Sequence, residues 1–85
     1  MGQIKWNRKA LKQLMKLQLK TRKVIIAAVE KLPTSDGWRN VKQLTEHNYQ
    51  YRLRVGRYRV FFDLEMSELR IYLIQEVKKR DDRTY

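Results

Sequence analysis

Between Tyr49 and Phe62 the chain reads YQYRLRVGRYRVFF, and apolar and basic positions alternate along it almost without a break. Successive side chains of a strand point to opposite faces, so this pattern predicts one face carrying Tyr49, Tyr51, Leu53 and Val55 and another carrying Arg52 and Arg54. Gly56 suits a tight connection, after which Tyr58, Val60 and Phe62 alternate with Arg57, Arg59 and Phe61. The expected element is a hairpin of strands at 49–55 and 57–64 with one greasy face and one face of guanidinium groups. Further strands are predicted at 41–44 and 69–77, the latter reached through a polar turn at 65–68.

The N-terminal half changes period. Residues 3–6, QIKW, alternate and form a short first strand. Asn7 is a good N-cap, with Trp6 and Leu11 at the positions of a hydrophobic staple. In RKALKQLMKLQLK, Ala10, Leu11, Leu14 and Met15 then share one helical face with lysines opposite. A break at 19–21 and a cap at Thr21 start a second helix, in which Val24, Ile25, Ala28, Val29 and Leu32 recur at helical spacing until Pro33. Both stripes read as core faces of an αα-hairpin. Arg8, Lys9, Arg22 and Lys23 lie in first turns, where cations oppose the helix dipole; they are either phosphate contacts or tolerated solvated charges. PTSDGW is a loop by composition. A strand, two helices and a run of strands give an α+β fold, with the helices on one face of a small, mostly antiparallel sheet and the other face open.

The length of 85 residues suits a single domain, 1–85, and the 42% apolar content supports one core. No Pro/Gly/Ser-rich linker or repeat marks a boundary. The sequence has no cysteine, no apolar run approaching a membrane span and no signal-peptide core, so a cytoplasmic protein without membrane association is expected. Charge adds the strongest constraint: 20 Lys and Arg against 9 Asp and Glu give +11. Such an excess calls for an anionic partner, with nucleic acid ahead of an acidic protein or a membrane surface.

The chemistry available to the open face is narrow. His47 is the single histidine, there is no cysteine nucleophile, and no glycine-rich phosphate loop is present. Asp81 and Asp82 sit within KKRDDR and read as local charge partners, so neither a metal site nor a cofactor is expected. Guanidinium, ammonium and phenol groups remain. These suffice for RNA cleavage, because the substrate supplies its own nucleophile, the 2′-OH, and the protein deprotonates it, stabilises the phosphorane-like transition state and protonates the 5′-oxygen. Arginine fits the middle task through its permanently charged, planar fork.

The run YQYRLRVGRYRVFFDL, with a following apolar strand and the tail VKKRDDRTY, resembles the RelE/ParE superfamily of type II toxin–antitoxin toxins, most nearly the RelE-like mRNA interferases. The resemblance spans nearly the whole chain: helix pair, VKQL edge, YRLRVGRYRV hairpin and basic tail. It implies a toxin that cleaves mRNA in the ribosomal A site by metal-free 2′-OH attack. By position it implies that Arg59 holds the scissile phosphate and that Arg52 and Arg54 stand where RelE carries two lysines, one of them a candidate base. Arg80 or Lys79 stabilises charge or protonates the leaving group, and Tyr85 stacks on a base or activates the 2′-OH. Arg57, Phe61, Lys78 and Arg83 complete the expected RNA contacts, Phe61 by stacking. The implied partners are mRNA, the 70S ribosome with its ribosomal RNA, and a cognate antitoxin in a hetero-oligomer, its toxin-binding segment acidic. The alternative within the same fold is a non-catalytic, ParE-like inhibitor of DNA gyrase; the basic-plus-tyrosine tail favours the ribonuclease.

Overall fold

The structure, a computed structural model, describes residues 2–80. The chain runs β1 (Gly2–Trp6), α1 (Arg8–Met15), α2 (Leu19–Glu30), a 3-10 turn (Asp36–Trp38), β2 (Val41–Gln43), β3 (Tyr51–Val55), β4 (Tyr58–Met66) and β5 (Arg70–Lys79). The five strands form one sheet in the order β1-β5-β4-β3-β2. β1 lies parallel to β5 and the other neighbours are antiparallel, as the α+β pattern requires.

The helices close one face. Ala10 and Leu14 from α1 and Ile25 and Val29 from α2, with Leu32 beyond its end, meet Leu53, Val60, Phe62, Tyr72 and Ile74 in a single core. Trp38 packs its ring edge-on against Tyr51 and Phe62, and its indole donates to the Leu32 carbonyl at 2.5 Å. That bond ties the 3-10 turn to the end of α2 and satisfies a donor that packing would otherwise leave orphaned.

Two devices shape β5. Register between β4 and β5 shifts at Phe61 and Phe62, which pair with Glu76 and Ile74, so Gln75 is an extra residue in the strand. This bulge reverses the alternation and lets Val77 and Ile74 both face the core while Glu76 faces away. β1 pairs β5 only as far as Trp6 and Ile74. Beyond it α1 takes over the exposed edge, and Gln13 Oε1 accepts the Val77 N–H at 2.7 Å, a side chain doing what a strand would do.

Several boundaries differ from the sequence expectation. The Asn7 cap is present, its side chain accepting from the Ala10 N–H at 2.7 Å. Thr21 caps nothing: α2 starts at Leu19 after Gln18, and Arg22 reaches back across the junction, donating to the Met15 and Leu17 carbonyls at 3.2 and 3.0 Å. Arg22 therefore closes α1 rather than reaching toward phosphate. The helical stripes are narrower than expected, since Leu11, Met15 and Val24 are exposed. Arg57 lies in the hairpin turn, not in β4, and Gly56 at φ +58° supplies the left-handed residue the turn needs. Tyr49 also departs: β3 begins at Tyr51, and Tyr49 lies off the strand, against Phe61 and Glu76 on the open face.

Candidate nucleic-acid interface

The alternation of β3 and β4 sets out the open face in rows. Across the hairpin Arg54 opposes Arg59, which opposes Lys78 on β5. The next row runs Arg52, Phe61, Glu76. Like charges directly opposite one another destabilise a sheet, so the first row is costly for folding.

Arg52, Arg54, Arg59 and Arg80, with Gly56 and Tyr58, line a hollow of about 110 Å³. No carboxylate is among the described residues that line it. Arg80 is held there through its backbone, whose N–H donates to the Arg57 carbonyl at 2.6 Å and pins the start of the C-terminal tail beside the hairpin turn. The Arg52 Nε is buried and has no hydrogen-bond partner. The same holds of the Arg22 Nε at the junction of the helices, so it is the convergence of four arginines, and not the unmatched atom, that marks the hollow. A larger cavity of about 600 Å³, between α2, the 3-10 turn and β3, is also bordered by Arg54, but there Lys31, Arg39 and Arg54 share the lining with Asp36 and with apolar side chains.

The hollow thus brings together four of the residues expected from sequence and separates others. Lys78 shares the face of Arg59. Lys79 pairs with Tyr58 one position on, which by alternation puts it on the helix side of the sheet. Of the two candidate tail cations, Arg80 is the one beside the arginines. Arg57 lines a separate groove with Lys20, Val24 and Val55. Arg83 and Tyr85 lie outside the described residues.

Beside the arginines sits a polar and aromatic group of which sequence reading placed Phe61 on this face and Tyr49 on the other. Glu76 accepts a hydrogen bond from the Tyr49 hydroxyl at 3.0 Å and pairs with Lys9 Nζ at 3.4 Å. Burial raises the Tyr49 phenol above its ordinary value, and Glu76, as acceptor and negative neighbour, raises it further. Burial alone would also raise Glu76, but the Tyr49 hydroxyl and the Lys9 ammonium together hold it below the usual carboxylate value. Phe61 is only 7% exposed because His47 stacks on it, ring centroids 5.3 Å apart at 14°, and Tyr49 leans on it at 5.5 Å. Nothing in the local pattern of residues 44–50 announces this arrangement; the signal available was the concentration of rings at 47, 49 and 61.

Neither models of protein families nor curated protein sequences match the chain. Solved structures do. The archaeal RelE–RelB complex from Pyrococcus horikoshii superposes with a TM-score of 0.77 at 21% identity, covering 95% of this chain and 97% of that one. The toxin–antitoxin complex RelBE2 from Mycobacterium tuberculosis gives 0.74 at 19% identity, covering 92% and 96%. A double arginine variant of the E. coli toxin RelE in its free state gives 0.67 at 20% identity, covering 91% and 81%. At these identities the likeness is one of fold: the strand, helix pair and antiparallel strands form the architecture those toxins have.

Proposed function

We propose that this protein is the toxin of a type II toxin–antitoxin pair, an endoribonuclease that cleaves mRNA in the ribosomal A site and so arrests translation. The observation that carries the reading is the hollow in which Arg52, Arg54, Arg59 and Arg80 converge with no carboxylate among the described residues that line it. Positive groups so concentrated are preorganised for a phosphate, and most of all for one gaining charge in a transition state. The fold shared with RelE toxins supports the same reading.

In the proposed reaction the 2′-oxygen attacks the adjacent phosphorus, the bond from phosphorus to the 5′-oxygen breaks, and the products are a 2′,3′-cyclic phosphate and a 5′-hydroxyl. Arg59, on the central strand β4, holds the non-bridging oxygens, with Arg52 and Arg54 sharing the developing charge. Arg80 donates to the departing 5′-oxygen. Solvent water takes the proton from the 2′-oxygen and returns one to the 5′-oxygen, so no net charge is created and Arg80 stays charged throughout. Tyr85 and Arg83 would act from the tail, and Lys78 along the strand path of the RNA. None of these steps calls for a cofactor.

The excess charge of the chain serves docking to ribosomal RNA and capture by an acidic antitoxin segment that folds over the same face. Such a protein works in the cytoplasm, where the ribosomes are. Toeprinting of a defined mRNA on programmed ribosomes tests the reading: wild type should cut within the A-site codon and Arg59→Ala should not. Growth arrest with intact mRNA would overturn it and make DNA gyrase the next target to assay.

A further inference from the structure

The aromatic stack beside the arginine hollow has an unused face. His47 lies nearly parallel on Phe61 and is itself exposed, so the pair ends in an imidazole whose outer side meets solvent. Tyr49 braces both rings, at 5.7 Å from His47 and 5.5 Å from Phe61. The imidazole is pinned as well as stacked, since its Nδ1 accepts the Tyr49 N–H at 3.1 Å. The residue before His47, Glu46, is at φ 52°, a left-handed conformation that side chains other than glycine rarely adopt.

Position supplies the ligand. Phe61 is the cross-strand partner of Arg52, and Arg52 lines the hollow with Arg54, Arg59 and Arg80. Directly opposed side chains stand about 5 Å apart at their bases, so the stack and the arginine hollow are neighbours on the open face. We propose that the outer face of His47 is a stacking seat for one nucleobase of single-stranded RNA, with the phosphate next to that base held in the arginine hollow. The seat rests on the RNA reading above and adds a base contact that Phe61, covered by His47, cannot itself make. Stacking of this kind is tolerant of base identity, because every base has a π-face.

The test uses short RNA strands, 2′-O-methylated throughout so that no nucleophile is present and the strand survives any activity, with 2-aminopurine walked through each position. Bound to wild type, one position should lose fluorescence by stacking. His47→Ala should restore that fluorescence and weaken binding by roughly five- to a hundredfold, and His47→Trp should keep both affinity and quenching. A strand abasic at that position should bind wild type and His47→Ala alike. Because His47 is exposed, the alanine variant is expected to keep its fold, checked by circular dichroism. Arg59→Ala separates the two proposals: it should weaken binding yet leave the quenching of the bound strand intact. Quenching without ribosomal cleavage would sustain the seat and sink the nuclease; equal affinity and fluorescence for wild type and His47→Ala would sink the seat alone. Failure of wild type to bind any strand would overturn the seat, while A-site cleavage on programmed ribosomes would still stand or fall by toeprinting.

Discussion

Arg54 on β3 and Arg59 on β4 are direct cross-strand partners, two guanidinium groups opposed in the middle of a sheet. Such a pair opposes folding, by about 0.2–1 kcal/mol on the scale of cross-strand pairs, unless an anion lies between them. Arg59→Ala is therefore expected to raise stability by about that amount at low salt, while destroying cleavage. Urea unfolding at low and high ionic strength checks it, since screening should shrink the gain. A loss of stability would mean that Arg59 is tied into the fold by contacts of its own.

Binding should fall as salt rises, and the slope counts phosphates. Each contact with a single strand contributes about 0.7 to the slope of log affinity against log salt. Arg59→Ala and Arg54→Ala should each flatten the slope by about that much, and the double variant by about twice as much, in a titration with non-cleavable RNA. An unchanged slope for Arg54→Ala would place that residue off the path of the strand.

The strands of the open face were legible in the sequence because a half-buried hairpin forces strict alternation, and Arg52, Arg54 and Arg59 occupy the face that this rule gave them. What escaped was set by distant partners. Gln75 is an extra residue only in relation to β4, so a pattern read along β5 alone cannot show that Glu76 joins Phe61. His47 and Tyr49 come over the open face through one loop, whose path is held by the Gln50 N–H donating to Asp63 at 2.8 Å and by the Tyr49 hydroxyl on Glu76. The Thr21 cap failed for a similar reason: α2 already begins at Leu19, which puts Thr21 inside its first turn, while Arg22 donates back to the Met15 and Leu17 carbonyls at the preceding helix end.

Arg22 should behave as a structural residue. Arg22→Ala removes two hydrogen bonds to carbonyls at the end of α1 and is expected to cost about 1–2 kcal/mol of stability, with RNA affinity and cleavage unchanged apart from that loss. Thr21→Ala, by contrast, should stay within about 0.5 kcal/mol of wild type. Thermal or urea unfolding alongside an RNA titration separates the two roles. A selective fall in RNA binding for Arg22→Ala would return it to the phosphate contacts.

The bond between Tyr49 and Glu76 makes stability depend on pH from both sides. Glu76 is ionised in the folded protein below its ordinary value of 4.5, so in the window beneath 4.5 the unfolded chain binds the extra proton. Its contribution is complete above that window and is lost as pH falls through the folded value. Tyr49 has the opposite sign. Its folded value lies above 10.0, so the unfolded chain loses the phenol proton first and stability falls as pH rises from there. Tyr49→Phe removes the hydroxyl while keeping the ring that braces Phe61 and His47, and should cost about 1 kcal/mol at neutral pH. The difference between wild type and variant should then narrow in acid, as protonated Glu76 gives up its charge-assisted bond, and again in alkali, where only wild type has a phenol to ionise. Urea unfolding of both proteins at about pH 3, 7 and 10.5 reads this directly. A difference constant across all three would mean that the hydroxyl acts through packing and not through its bond to the carboxylate.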